Sequence, residues 1–162
     1  MAGLKVLMVC TGNICRSPTA EGVLRAKLQA AGLHRKVEVD SAGTLGAHAG
    51  EPPDARAIKH AAARGYDLRK LRARRLSRDD FERFDHVLAM DESHLQRMQE
   101  IAPPGSRARL CLLLEFGSRF AAHREVPDPY YGPPAGFDRV LDLVEDACEG
   151  LLVALQQNLG TK

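Results

Sequence analysis

Leu4-Lys5-Val6-Leu7-Met8-Val9-Cys10-Thr11-Gly12-Asn13-Ile14-Cys15-Arg16-Ser17-Pro18 is the stretch that decides the fold. Leu4 to Val9 is a short, β-branched and nearly continuous apolar run, the pattern of a strand covered on both faces. Ser17-Pro18 reads as an N-cap followed by proline at the first helical position. Val23, Leu24, Ala26, Lys27 and Leu28 then recur with helical spacing as far as Gly32. The order is therefore buried strand, loop, helix, with the segment from Cys10 at the carboxyl end of a central strand.

The remaining chain repeats that alternation. Val37 to Asp40 predicts a second strand, Asp54 to Arg64 a helix ended by Gly65, and His86 to Ala89 a third strand. Asp91 is placed to cap a helix running to Ile101 before Pro103-Pro104. Leu110 to Leu114 predicts a fourth strand, and Phe137 to Leu155 an amphipathic helix with Val140, Leu143, Val144, Ala147, Leu151 and Leu155 on one side. Such alternation predicts a doubly wound, mostly parallel α/β sheet, whose ligand sites lie at the carboxyl ends of the strands. The length of 162 residues, with 44% hydrophobic content, suits one domain over 1–162.

Composition removes several function classes. The 23 basic and 21 acidic residues give a formal charge of +2, too even to argue for nucleic acid or a membrane surface. The N-terminal apolar run is short and interrupted by Lys5, with no charged region before it and no cleavage-site pattern, and no stretch reaches the roughly 20 apolar residues that span a bilayer, so a cytoplasmic protein is expected. Cysteines at 10, 15, 111 and 148 are too scattered for a disulfide framework and are expected to be reduced.

Five residues separate Cys10 from Arg16 in a turn that enters a helix. Consecutive backbone N–H groups from Thr11 through Gly12, Asn13, Ile14, Cys15, Arg16 and Ser17 would curl into a concave nest, and the helix N-terminus adds its positive end; a phosphoryl group fits that description. The planar fork of Arg16 offers two parallel donors to phosphoryl oxygens, and the same positive field favours the thiolate of Cys10. Ser17 can turn its hydroxyl toward that sulfur. Cys10 and Cys15 lack the paired C-x2-C spacing of a zinc site, no Gly-Lys-Ser/Thr follows for a nucleotide loop, and no metal or organic cofactor is required.

Cleaving a phosphate ester also needs a proton for the departing oxygen. Asp128 stands between Pro127 and Pro129, which restrict its backbone and so help to position a general acid. Tyr130 and Tyr131 follow, two of only three tyrosines, and could wall a substrate ring. The six histidines at 34, 48, 60, 86, 94 and 123 show no metal-ligand spacing and are assigned mostly to surface or helix packing. The basic stretch Arg69, Lys70, Arg72, Arg74, Arg75 and Arg78 is read as a solvated face rather than a docking patch.

Val9 to Pro18 and Asp128-Pro129-Tyr130-Tyr131-Gly132 resemble the low-molecular-weight protein tyrosine phosphatase family, as do Asp40-Ser41-Ala42-Gly43, Pro53 to Ala57 and Phe84 to Ser93. The resemblance implies a four-stranded parallel sheet flanked by helices, a phosphocysteine on Cys10, Arg16 as phosphate binder, and Asp128 as proton donor and then base for water. It further implies that Asn13 and Ser41 hydrogen-bond to hold the cradle, and that Cys10 and Cys15 form a reversible disulfide. The expected substrates are phosphotyrosine proteins or small aryl phosphates, with phosphate as product. Two positions depart from relatives: Leu71 stands where many carry a histidine behind the cradle, and Ala47 and His48 where some carry an aromatic wall residue. Three rivals remain: an arsenate reductase, for which a cysteine relay is lacking; a phosphoarginine phosphatase, against which Ile14 speaks; and a non-catalytic phosphate-binding module.

Overall fold

The computed structural model describes residues 3–160. Four strands, β1 (Leu4–Cys10), β2 (Val37–Gly43), β3 (His86–Ala89) and β4 (Arg109–Leu112), form one parallel sheet in the order β2-β1-β3-β4. Strand β1 is central. Leu4 pairs with Val37 and Cys10 with Gly43 on one side, and Val6 pairs with His86 and Val9 with Ala89 on the other. The helices are α1 (Arg16–Ala30), α2 (Ala55–Ala63), α3 (Asp80–Arg83), α4 (Glu92–Ile101) and α5 (Ala135–Gly160).

Alternation along β1 explains the two layers. Val6, Met8 and Cys10 face the core shared with Val23, Leu24 and Leu28 of α1 and Val144, Ala147 and Leu151 of α5. Leu7 and Val9 face the opposite core, built from Phe81, Phe84 and Met98. Both faces are covered, which is why the strand reads as an unbroken apolar run, with exposed Lys5 its one interruption. The fold is thus the expected doubly wound, four-stranded parallel α/β sheet, with the loop from Thr11 at the carboxyl end of its central strand.

Several boundaries differ from the sequence expectation. Ser17 does not cap α1: the helix begins at Arg16, Cys15 holds the cap position without a side-chain bond, and Pro18 is the third helical residue. The Ser17 hydroxyl is engaged elsewhere, on the Cys10 sulfur. Strand β2 extends to Gly43, because polar Asp40 and Ser41 are held by specific partners and do not end it. The fourth strand stops at Leu112, and Leu113–Phe116 winds into a 3-10 turn in which the Glu115 carboxylate accepts from the Leu112 N–H. By contrast, Asp91 caps α4 as predicted, and Asp54 caps α2 by accepting from Arg56 N–H. Gly65, with φ +90, follows the end of α2 in the left-handed conformation that suits glycine.

The close of β2 supports the loop after β1. A methyl group on Gly43 would lie 2.6 Å from the Thr11 carbonyl oxygen and 3.1 Å from the Asn13 nitrogen, both backbone atoms that cannot swing aside. Gly43→Ala should therefore lower stability by about 1–3 kcal/mol, the usual cost of overpacking, rather than stabilise through a stiffer unfolded chain. A denaturant midpoint at or above that of the parent would show that this loop yields freely.

Candidate active site

The cradle is made by tying carbonyls outward. The Cys10 and Thr11 carbonyls accept from Thr44 and Leu45 N–H, that of Ile14 accepts from Asp54 N–H, and that of Cys15 accepts from Thr19 N–H and hydroxyl. Among the described residues, no protein acceptor takes the backbone N–H groups of residues 12–17. They are left for an anion, and the start of α1 adds its dipole.

Asn13 makes the turn possible. It has φ +59, a left-handed conformation that asparagine tolerates better than most residues. Its side chain is fully used: Oδ1 accepts from Arg74 N–H at 3.0 Å, and Nδ2 donates to Ser17 Oγ at 2.8 Å and Ser41 Oγ at 2.9 Å. Because Ser17 Oγ accepts from Asn13, its own hydrogen is free to point at Cys10 Sγ, 2.9 Å away. Ser41 in turn donates to Glu21 Oε1 at 2.7 Å, and Arg25 pairs with Glu21 at 2.6 Å. Burial raises the Glu21 carboxyl pKa, against the lowering effect of Ser41 and Arg25. The polar network behind the cradle thus runs on to Glu21 and Arg25, while Leu71 packs beside the main core.

Arg16 is 4% exposed. Its NH1 is consumed by protein, donating to Asp91 Oδ2 at 2.8 Å and to the Val126 carbonyl at 3.1 Å. The contacts of NH2 are long, 3.5 Å to Thr11 Oγ1 and 3.9 Å to Asp128 Oδ2. The Nε–NH2 edge is therefore the one left for bidentate contact with an oxyanion. Burial alone would raise the Asp91 pKa, but Ser93, His94 and Arg16 hold it below the ordinary value.

Above the cradle lies a cleft of about 270 Å³. Cys10, Thr11, Gly12, Ile14, Cys15 and Arg16 line it below, Leu45, Ala47 and His48 on one side, and Asp128, Tyr130 and Tyr131 on the other. The Asp128 loop is pinned by Val126, whose N–H donates to the Met90 carbonyl at 2.8 Å. Asp128 accepts from Tyr130 N–H at 3.1 Å, and the two tyrosine rings meet edge-on at 4.8 Å. Arg56, paired with Asp54, lies over Tyr130 and Phe137 at 5.3 and 4.8 Å from their centroids, which ties the wall to α2 and α5. Tyr131 is 92% exposed and Leu45 55%. Where some relatives place an aromatic, this chain has Ala47 and His48, and Leu45 supplies the apolar surface.

Every residue singled out for the site converges here, including Ser41 behind the cradle. Cys15, at the edge of the cleft, packs against Ala57 and Phe137, and burial, with Asp54, Cys10 and Asp128 nearby, pushes its thiol up to about 12. Cys111 and Cys148 are buried in the main core, so neither forms a relay to the cleft. Sequence reasoning missed three participants. Arg74, assigned to a solvated face, donates its N–H to Asn13 and pairs with Asp40 and Asp80. Glu21 drew no notice. His94, assigned to surface or helix packing, is buried against Thr11 and Arg16; its place at N3 of the predicted α4 cap was the available signal.

Replacing Asn13 separates backbone from side chain. Asn13→Gly keeps the left-handed conformation but loses three hydrogen bonds, and Asn13→Ala should be less stable than it by about 1 kcal/mol, the left-handed penalty less glycine's extra chain entropy. Equal denaturation midpoints for the two would mean that φ at this position carries no strain.

The family model described as low molecular weight phosphotyrosine protein phosphatase matches residues 5–161. A Streptomyces coelicolor low molecular weight protein-tyrosine-phosphatase is 44% identical over 96% of this chain and 95% of its own. The crystal structure of an Entamoeba histolytica protein tyrosine phosphatase with Hepes in its active site superposes with TM-score 0.92 at 38% identity, covering 96% of this chain and 99% of that one. Vibrio vulnificus Wzb in complex with benzylphosphonate gives TM-score 0.78 at 30% identity over 91% and 96% of the two chains. With the cradle and its cysteine and arginine in place, these matches establish that the chain belongs to the low-molecular-weight protein tyrosine phosphatase family.

Proposed function

We propose that this protein tyrosine phosphatase hydrolyses phosphotyrosine and aryl phosphate monoesters through a phosphocysteine on Cys10. The observation that carries the reading is the Cys10 sulfur at the floor of a nest of free N–H groups, with the Ser17 hydroxyl 2.9 Å from it. Arg16 and the N–H groups of residues 12–17 hold the phosphoryl oxygens. The Cys10 thiolate attacks phosphorus, the P–O bond to the aryl group breaks, and Asp128 donates its proton to the departing phenolate oxygen. Water then attacks the phosphocysteine while Asp128 takes a proton from it, the S–P bond breaks, phosphate leaves, and the thiolate returns to the Ser17 hydroxyl. Tyr130 and Tyr131 flank the substrate ring, and the N–H nest and Arg16 stabilise charge on the transferring group.

The phosphatase unit is the whole of 1–162, acting in the cytoplasm on a phosphotyrosine protein or a small aryl phosphate. No helix among the described residues is long and apolar enough to cross a membrane. Cys15 serves as the redox partner of Cys10: peroxide oxidises the Cys10 thiolate to a sulfenic acid with release of hydroxide, and the Cys15 sulfur displaces that oxygen as water to leave a disulfide.

Hydrolysis of p-nitrophenyl phosphate should resist excess chelator, vanish in Cys10→Ser, and fall about 10²–10⁴-fold in kcat for Asp128→Ala, the usual worth of a general acid, with phosphate affinity kept. Turnover that persists in Cys10→Ser refutes the phosphocysteine route. After mild peroxide, dithiothreitol should restore the parent but not Cys15→Ser, whose nucleophile would oxidise beyond the sulfenic state. Equal recovery of the two would remove Cys15 from the redox scheme.

A further inference from the structure

We propose that His94, neutral and carrying its proton on Nε2, is a positioning residue that fixes Thr11 and confines the Arg16 guanidinium for oxyanion binding. The inference deepens the phosphatase reading and rests on it for the role of Arg16.

The tautomer follows from the helix cap. The Asp91 N–H points at His94 Nδ1 at 3.2 Å, while Asp91 Oδ1 accepts from His94 N–H at 3.1 Å. A nitrogen that accepts a hydrogen bond carries no proton, so the ring hydrogen is on Nε2. That Nε2–H donates to Thr11 Oγ1 at 2.7 Å. Arg16 NH2 lies 3.4 Å from the same Nε2. Two N–H groups cannot bond to each other, so His94 blocks NH2 from sinking deeper without consuming its hydrogens. NH1 makes the short contacts with protein, and NH2 is left with long ones, 3.5 Å to Thr11 Oγ1 and 3.9 Å to Asp128 Oδ2.

Protonating the ring would set a second N–H against that of Asp91 and a second cation against Arg16, opposed by the Asp91 Oδ1 that lies 3.2 Å from Nδ1. The groups acting on the ring are Arg16, which disfavours its charge, and Asp91 and Asp128, which favour it. Burial is the largest influence, and with Arg16 it pushes the imidazole down to about 4. His94 thus stays neutral at working pH, and the charge of Arg16 is left for the substrate.

The test reads inorganic phosphate binding directly, by calorimetry on the reduced protein, and so does not depend on turnover. His94→Gln keeps an N3 residue favoured in a capping box, and Thr11→Val keeps the shape of Thr11 without its acceptor. Each should weaken phosphate about 2- to 10-fold, the range of one hydrogen bond, and the double variant should be no weaker than the poorer single one. Nitrogen-15 shifts of the His94 ring in the parent should report the Nε2–H tautomer from pH 5 to 7. Unchanged affinity in both single variants, additive losses in the double, or an imidazolium at pH 6 would overturn the proposal. A parent that binds phosphate with this variant pattern yet hydrolyses no aryl phosphate would instead count against the phosphatase reading alone.

Discussion

A guanidinium buried beneath the cleft is the constraint on which the site depends. An unpaired charge at that depth would cost several kcal/mol, so the fold must bring it compensation from more than one direction. Asp91, at the end of β3, supplies the charge at 2.8 Å, and the Val126 carbonyl takes the second hydrogen of NH1 at 3.1 Å. Each partner is fixed by something else: Asp91 caps α4, and Val126 hangs from the Met90 carbonyl. The cradle follows β1 and the Asp128 loop follows the turn after β4. Both are therefore registered to one point at the carboxyl end of β3, and Asp128 Oδ2 lies 3.9 Å from the same cation.

The strands, their parallel order and the loop at their carboxyl ends were legible because burial on both faces leaves a plain signature. Leu4 to Val9 and His86 to Ala89 are continuous apolar runs, and a parallel sheet requires such runs. Boundaries were read less well where polar side chains did work that hydropathy does not register. Asp40 and Ser41 look like the end of a strand, yet β2 continues through them to Gly43, because Ser41 bonds Glu21 and Asn13. Ser17 looks like a helix cap, but its hydroxyl is committed to the Cys10 sulfur and the Asn13 amide.

Cys10, Arg16 and Asp128 stood out in the sequence, whereas Arg74, Glu21 and His94, which brace the loop and its neighbours, did not. A nucleophile, a clamp and an acid have constrained types and a constrained order along the chain. Supporting groups need only arrive in space: Arg74 contributes a backbone N–H, which any residue but proline carries, and Glu21 lies on α1, where a carboxylate is unremarkable. His94 sits 83 residues from Thr11 and meets it only because β1 and β3 pair in parallel, with Val9 beside Ala89. No local pattern encodes that encounter.

The two cysteines of the cradle show how far a shared loop leaves chemistry open. Cys10 and Cys15 are both buried, but Cys10 ends at the cleft floor beside a hydroxyl whose hydrogen is free to point toward it. Cys15 packs against Ala57 and Phe137, with the carboxylates of Asp54 and Asp128 acting on it. Burial and those negative neighbours keep it a thiol, and a thiol is a poor nucleophile and a slow target for peroxide. That asymmetry separates the two sulfurs chemically. In the proposed mechanism, attack on phosphorus and first contact with an oxidant would therefore both fall to Cys10, and Cys15 would enter only after Cys10 had been made electrophilic.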